Sequence, residues 1–232
     1  MQNKDQMAIP NHIGFIMDGN RRWARENNQN YLTAYQKGAD VLQNSVEQAK
    51  KWGVKFVTAF AFSHENWNRP KNELEILMTL FDRYLTEKIK IFHEKNVKFN
   101  VIGRIKNFSE NLQQKIQNLL ALTKNNNGIT LTLALSYGGK VEIIDAINKI
   151  PKNSLSTEIA LEDFEKNLYD PNLPPVDLII RTSGEERTSG FMLWESDYAE
   201  LYFLKKNWPE VVPEDIDLAI KDFSQRKRNF GA

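Results

Sequence analysis

Short apolar runs rich in β-branched and aromatic residues recur along this chain, alternating with longer segments whose apolar residues return every three or four positions. Strands that are apolar on both faces must be covered on both sides, and the intervening amphipathic helices are the elements that can do it. The pattern predicts an α/β fold with a central, mostly parallel sheet of about six strands flanked by helices. The runs read as strands are His12 to Asp18, Val54 to Ser63, Val97 to Gly103, Ile129 to Tyr137, Val176 to Thr182 and a short Leu201 to Leu204.

Several helices have legible faces and ends. Tyr35, Ala39, Leu42, Val46 and Ala49 form one apolar face that stops near Gly53. After Pro70, the segment from Asn72 to about Glu94 carries Leu74, Leu77, Met78, Phe81, Leu85, Ile89 and Phe92 on one stripe and reads as the longest helix. Ser109 suits an N-cap ahead of Leu112, Ile116 and Leu119, while Pro213 opens a last helix through Ile216, Ala219, Ile220 and Phe223. Turns are expected at Asn125 to Gly128, at Asp170-Pro171 and at Ser183-Gly184. The stretch from Lys149 to Asp170 has no clear period.

With 232 residues the chain suits one domain, residues 1–232, with a substantial core. Its 31 Lys and Arg balance 30 Asp and Glu, so nothing draws the whole molecule to nucleic acid and any anion recognition must be local. There is no cysteine, which excludes a thiol nucleophile and cysteine-ligated zinc, and His12, His64 and His93 lack metal-ligand spacing. The polar first residues do not resemble a signal peptide, and a cytoplasmic location is expected. No apolar run approaches the ~18 residues that span a bilayer, so any membrane contact would be peripheral. Arg226-Lys227-Arg228 reads as a solvated helix end, with anionic lipid or a partner subunit as the alternatives.

In open α/β sheets ligands bind beyond the carboxyl ends of the strands. The first strand runs into Asp18-Gly19-Asn20-Arg21-Arg22-Trp23. Glycine lets backbone N–H groups approach an oxyanion, the arginines offer paired donors to phosphate, and the aspartate can hold a hard cation. A plain Asp-Gly turn with solvated arginines is an equal reading of that segment alone. The second strand ends in Ser63-His64-Glu65-Asn66-Trp67-Asn68-Arg69-Pro70, where Trp67 could simply pack and an asparagine could cap the next helix. The fifth ends in Arg181-Thr182-Ser183-Gly184-Glu185-Glu186-Arg187-Thr188-Ser189, a second set of phosphate donors. Glu200 is an acid entering an apolar strand, and a salt bridge is its default partner.

Taken in order, HIGFIMDGNRRWA, AFSHENWNRP and VDLIIRTSGEERTSGFMLWESDYAELYF, with the closing WP and RNFG, resemble the cis-prenyltransferases, above all the undecaprenyl diphosphate synthases, over nearly the whole chain. The DDxxD acids of the trans enzymes are absent. The resemblance implies a homodimer of single α/β domains that condenses isopentenyl diphosphate onto an allylic diphosphate such as farnesyl diphosphate, with Mg2+ as cofactor. The product would be a lipid carrier for cell-wall glycans. A relative making shorter or longer products, a noncatalytic partner subunit and an unrelated phosphohydrolase are the competing readings.

By position, the resemblance makes Asp18 the essential aspartate and a metal ligand, Glu200 the second metal ligand, and Asn66 a participant in proton removal. Gly19, Asn20, Arg21, Arg22 and Trp23 fall at the allylic diphosphate. Ser63, His64, Glu65, Trp67 and Arg69 belong to the second block, and Arg181, Arg187, Thr188 and Ser189 to the isopentenyl diphosphate pocket. An apolar channel for the growing chain is expected along Phe60, Phe62, Leu77, Phe81, Leu131, Leu133 and Leu135. Four features depart from the pattern. Arg21 stands where glycine is usual, Ser183 where Gly-Gly is usual, and Tyr31 and Tyr35 where an arginine and a histidine are usual, which predicts a weaker diphosphate grip on that side, offset by Arg21. The tail reads Asn229-Phe230-Gly231 in place of Arg-x-Gly.

Overall fold

The computed structural model describes residues 7–87, 89–151 and 158–229. Strands β1 (His12–Ile16), β2 (Phe56–Ser63), β3 (Lys98–Ile102), β4 (Thr130–Tyr137), β5 (Leu178–Arg181) and β6 (Glu200–Phe203) form one sheet in the order β3-β4-β2-β1-β5-β6. Every pairing is parallel, as the doubly apolar runs require. All six expected runs hold a strand. The first stops at Ile16, leaving Asp18 beyond its end, and the last starts one residue early, at Glu200.

Among the described residues the α-helices are α1 (Asn20–Glu26), α2 (Tyr31–Trp52), α3 (Lys71–Glu87), α4 (Ile89–Glu94), α5 (Glu110–Thr123), α6 (Gly139–Lys149), α7 (Leu161–Glu165) and α8 (Pro213–Gln225). Three expectations change. The longest helix is α2, at 22 residues: Asn30 caps it by accepting the Thr33 N–H at 2.8 Å, and Gly53, at φ 90, ends it in the left-handed region. The segment from Asn72 to Glu94 divides into α3 and α4, although Leu77, Leu85 and Phe92 from its stripe still enter the core. The residues after Asp18, for which a plain turn with solvated arginines is one reading, begin α1 at Asn20. Phe230 and Gly231 of the tail lie outside the described residues.

The larger core lies between one sheet face and helices α2, α3, α5 and α8, with Phe15, Val57, Leu131, Val46, Ile116 and Ile220 among its members. A smaller cluster, including Ile16, Tyr137, Ile179 and Phe191, fills the other face. From β1 the chain first builds outward through β2 to β3, and only later returns beside β1 to add β5 and β6. Connections therefore leave β1 and β5 in opposite directions and open a crevice at their carboxyl ends, the usual ligand position in such sheets. Asp18 and Arg181 stand there, since Ile16 is in register with Arg181.

Candidate active site

Just past β1, Gly19 takes φ 100, and a Cβ there would lie 2.5 Å from Asn207 Oδ1, so no other residue fits without displacing the neighbouring segment. The Gly19 carbonyl then accepts the Trp23 N–H and opens α1. The turn is tied to the end of β5 on both sides. Thr182 Oγ1 donates to the Asp18 carbonyl at 2.7 Å, and Arg181 donates from Nη2 (2.6 Å) and Nε (3.1 Å) to Asp18 Oδ2. Arg181 Nη1 reaches the other way, to Ser189 Oγ at 2.8 Å and to the Arg187 carbonyl. The Arg181 side chain is 4% exposed against 42% for Asp18, so a buried cation braces an aspartate whose free edge faces solvent.

A polar pocket of about 420 Å3 opens beside this pair, with the guanidinium groups of Arg21, Arg22, Arg25, Arg69 and Arg187 on its walls. Arg22 is anchored through Nη1 to the Ser183 carbonyl (2.7 Å) and Oγ (2.6 Å). Its Nη2 lies 3.0 Å from Glu185 Oε1, while Arg187 Nη1 lies 2.6 Å from Oε2 of the same carboxylate. Hydrogen bonds from Arg187, then Arg22, hold the Glu185 carboxyl below its usual range. Two arginines from different strand ends thus converge on one anionic group, which is the arrangement a phosphate needs.

A second, apolar cavity of about 590 Å3 runs from the same point between the sheet and helices α2 and α3, down to Phe92, Phe99 and Leu119. The two hollows share Met17, Asp18, Asn20, Tyr35 and Arg69, so charge and grease meet at one junction. Gly38 lets α2 approach that junction: a Cβ would lie 2.5 Å from Asn20 Oδ1 and 3.0 Å from Trp208 Cδ1. Of the expected channel residues, Phe60, Leu77, Phe81, Leu131, Leu133 and Leu135 line the cavity. Phe62 does not; it packs edge-on against Trp67, Phe81 and Phe108 in the core.

Comparison with known proteins agrees with this geometry. The family model described as "Putative undecaprenyl diphosphate synthase" matches residues 16–231. The chain belongs to the cis-prenyltransferase family. It is 42% identical to an isoprenyl transferase of Thermotoga maritima, covering 97% of this chain and 98% of that one. It is 41% identical to the ditrans,polycis-undecaprenyl-diphosphate synthase, (2E,6E)-farnesyl-diphosphate specific, of Haemophilus influenzae, covering 98% and 97%. Among solved structures it resembles lavandulyl diphosphate synthase from Lavandula x intermedia in complex with dimethylallyl diphosphate, with TM-score 0.92 and 31% identity over 97% of this chain and 99% of that one. A "probable undecaprenyl diphosphate synthase" from Campylobacter jejuni gives TM-score 0.82, also at 31% identity, over 97% and 100%. As a cis-prenyltransferase, the chain is a transferase of isoprenoid biosynthesis that extends cis-prenyl chains.

Within this cis-prenyltransferase the expected residues separate into groups. Asp18, Asn20, Ser63, Glu65, Asn66, Arg69, Arg181 and Ser189 line the apolar cavity, and Gly19, Arg21, Arg22 and Arg187 line the polar pocket. The Asn66 amide oxygen accepts the Ser63 N–H at 3.0 Å, so that oxygen serves the 3-10 turn His64–Asn68. Four other residues lie outside both hollows. Trp23 is buried against Ala24 and Ala34 under the Lys37 ammonium, and Trp67 donates to Ser136 Oγ at 2.8 Å within an aromatic cluster. The carbonyl of Thr188 closes a turn onto Phe191, and His64 has its Nδ1 buried without a partner among the described residues. The sequence marks Tyr35 only as a departure from the family pattern and not as a site residue, and it gives no role to Glu73; both join Arg69 at the junction, Glu73 from four residues further along the chain.

Glu200 does not join Asp18 within the chain. It pairs in register with Leu178, and Leu178 with Ile13, so Glu200 stands at the amino end of the sheet and Asp18 five residues further, past the carboxyl end. That separation is roughly 16 Å along the strands alone. Glu200 takes the salt bridge that was its default, to Arg226 Nη1 at 2.8 Å. Among the described residues no group of three acidic or histidine side chains could hold a metal ion. What is offered is one carboxylate whose Oδ1 has no hydrogen bond among the described residues, beside a pocket for anions. That donor set fits Mg2+, which takes one or two carboxylates and completes its shell with phosphate oxygens and water.

Proposed function

We propose that this protein condenses isopentenyl diphosphate onto an allylic diphosphate, farnesyl diphosphate being the starting substrate, and repeats the step to make a long-chain lipid carrier, undecaprenyl diphosphate. The observation that carries the reading is the junction at Asp18 and Arg69, where a pocket walled by five arginines meets a 590 Å3 apolar cavity. A diphosphate with a hydrocarbon tail is a molecule with those two ends.

In each cycle the C–O bond of the allylic diphosphate breaks, a C–C bond forms to the isopentenyl double bond, and a proton leaves the new chain. Arg21, Arg22 and Arg69 bind the departing diphosphate, whose growing charge fixed guanidinium groups stabilise by about 2 to 4 kcal/mol each in a water-poor site. Asp18, braced by Arg181, would hold Mg2+, which when bound would add to the neutralisation of the departing diphosphate. Arg187, Ser189 and the backbone they share with Arg181 receive the isopentenyl diphosphate. The apolar walls exclude water from the allylic carbon and take up the lengthening tail. Asn66, with its oxygen committed to the Ser63 N–H, orients substrate through its NH2 group and does not itself take the proton.

The relatives' names and the family resemblance extend the reading to a homodimer of single-domain subunits serving cell-wall glycan synthesis in the cytoplasm, peripheral to the membrane where the product is delivered. No helix among the described residues is long and apolar enough to cross a membrane. Incubation of the purified chain with Mg2+, farnesyl diphosphate and labelled isopentenyl diphosphate, followed by chromatography of the lipids, tests the proposal. Label in long polyprenyl products is the expected result. Phosphate release without chain extension would sink it, and ultracentrifugation tests the dimer.

A further inference from the structure

Tyr35 lines both hollows, and its hydroxyl is fully engaged at the wall between them. The O–H donates to Glu73 Oε1 at 2.8 Å and accepts from Arg69 Nη1 at 2.8 Å. The same Nη1 reaches Glu73 Oε1 at 2.9 Å, so phenol, guanidinium and carboxylate close a triangle. The Glu73 side chain is only 3% exposed, and its other oxygen lies 3.7 Å from Arg21 Nε. A carboxylate so buried must have its charge offset by partners. Left alone with an arginine, it draws the guanidinium into a two-point, side-by-side pair. The phenol prevents that by occupying Oε1 from a third direction. Among the described residues, Arg69 spends one nitrogen on the triangle, and no hydrogen bond is made by its Nη2 or Nε. Burial raises the phenol above its ordinary pKa, so it keeps its proton at any working pH.

Given the diphosphate-binding role above, on which this step rests, we propose that Tyr35 is a positioning residue: by bridging Glu73 and Arg69 it holds the Arg69 guanidinium at the junction with its remaining donors turned to the allylic diphosphate. Tyr35→Phe removes one hydroxyl and no bulk. Arg69 then collapses onto Glu73, and the KM for the allylic diphosphate rises roughly ten- to a hundredfold, the range for a lost hydrogen bond to a charged group. The kcat and the KM for isopentenyl diphosphate stay within about threefold, because only one substrate meets Arg69.

Steady-state kinetics of the wild type, Tyr35→Phe, Arg69→Ala and the double variant provide the test. In the Arg69→Ala background, Tyr35→Phe is expected to add nothing to the allylic KM, since its action passes through that arginine. An unchanged allylic KM in Tyr35→Phe overturns the proposal. So does an equal loss from Tyr35→Phe with and without Arg69, or a fall in thermal midpoint with both KM values moved alike, as a merely structural tyrosine would give. Absence of condensation by the wild type would instead overturn the functional reading itself, so the two failures are distinguishable.

Discussion

Arg181 gives two donors to a single oxygen of Asp18, at 2.6 and 3.1 Å, and leaves the other oxygen of that carboxylate open towards the pocket. The brace comes from the adjacent strand β5, so the position of the aspartate is set by sheet register and not by the flexibility of its own loop.

Asp18→Ala is expected to lower kcat by roughly a thousandfold while the allylic diphosphate still binds through the arginines. Asp18→Asn keeps the shape and loses the charge, and it should fall nearly as far. Single-turnover kinetics beside calorimetric titration of a non-hydrolysable allylic analogue separates the two effects. Unaltered turnover in either variant would remove Asp18 from the metal role.

Arg187 stands on the loop after β5 and lines the polar pocket, with 60% of its side chain exposed. Arg187→Ala should raise the KM for isopentenyl diphosphate about ten- to a hundredfold and leave the allylic KM near its wild-type value. A change confined to the allylic substrate would reverse the assignment of the two diphosphates.

Leu133 lines the apolar cavity from β4, where its side chain is partly buried against the core and borders the hollow. Leu133→Trp fills part of that volume, and the distribution of products should shift to shorter chains, at modest cost to the first condensation. Products of wild-type length would mean that the tail follows another path.

Glu195 is a buried carboxyl whose Oε2 has no partner among the described residues. Burial, followed by the charge of Glu142, pushes it up to about 8. Glu142 itself accepts from Tyr137 Oη at 2.5 Å and from the Tyr169 N–H at 3.0 Å; Asp170 adds repulsion on Glu195, while Asp145 and Lys149 face Glu142 with opposite effects. The folded state keeps a proton that the unfolded chain releases near pH 4.5, so this group's contribution is full below that value and is lost as pH rises to about 8. Glu195→Gln has no such proton to release. Its thermal midpoint should exceed that of the wild type at pH 8 by several degrees, on the order of 1 to 3 kcal/mol, and the two should converge near pH 4.5. A difference independent of pH would show that Glu195 is ionised in the folded protein.

The fold was legible because the signals that specify it are local. Strand and helix periods, the cap at Ser109 and the stop at Gly53 each depend on a few neighbouring residues, and the cap and the stop appeared where the pattern put them. The division of the 72–94 segment was not legible, since the stripe continues through it unchanged. The phosphate-binding vocabulary at three strand ends was equally visible in the chain, because parallel topology brings carboxyl ends of strands together whatever their separation in sequence.

What the sequence by itself determined, then, was the sheet, its covering helices and the set of charged groups available at its carboxyl edge. Only the tertiary structure decided which of those groups meet. Register carried Glu200 to the far end of the sheet and bound it to Arg226, packing turned Trp23, Trp67 and Phe62 inward, and the crossing of α2 with α3 brought Tyr35 to the Arg69–Glu73 pair. Contacts between residues 34 to 163 positions apart, such as Arg69 with Tyr35 and Arg181 with Asp18, depend on the relative placement of whole elements, and no window of sequence contains that information.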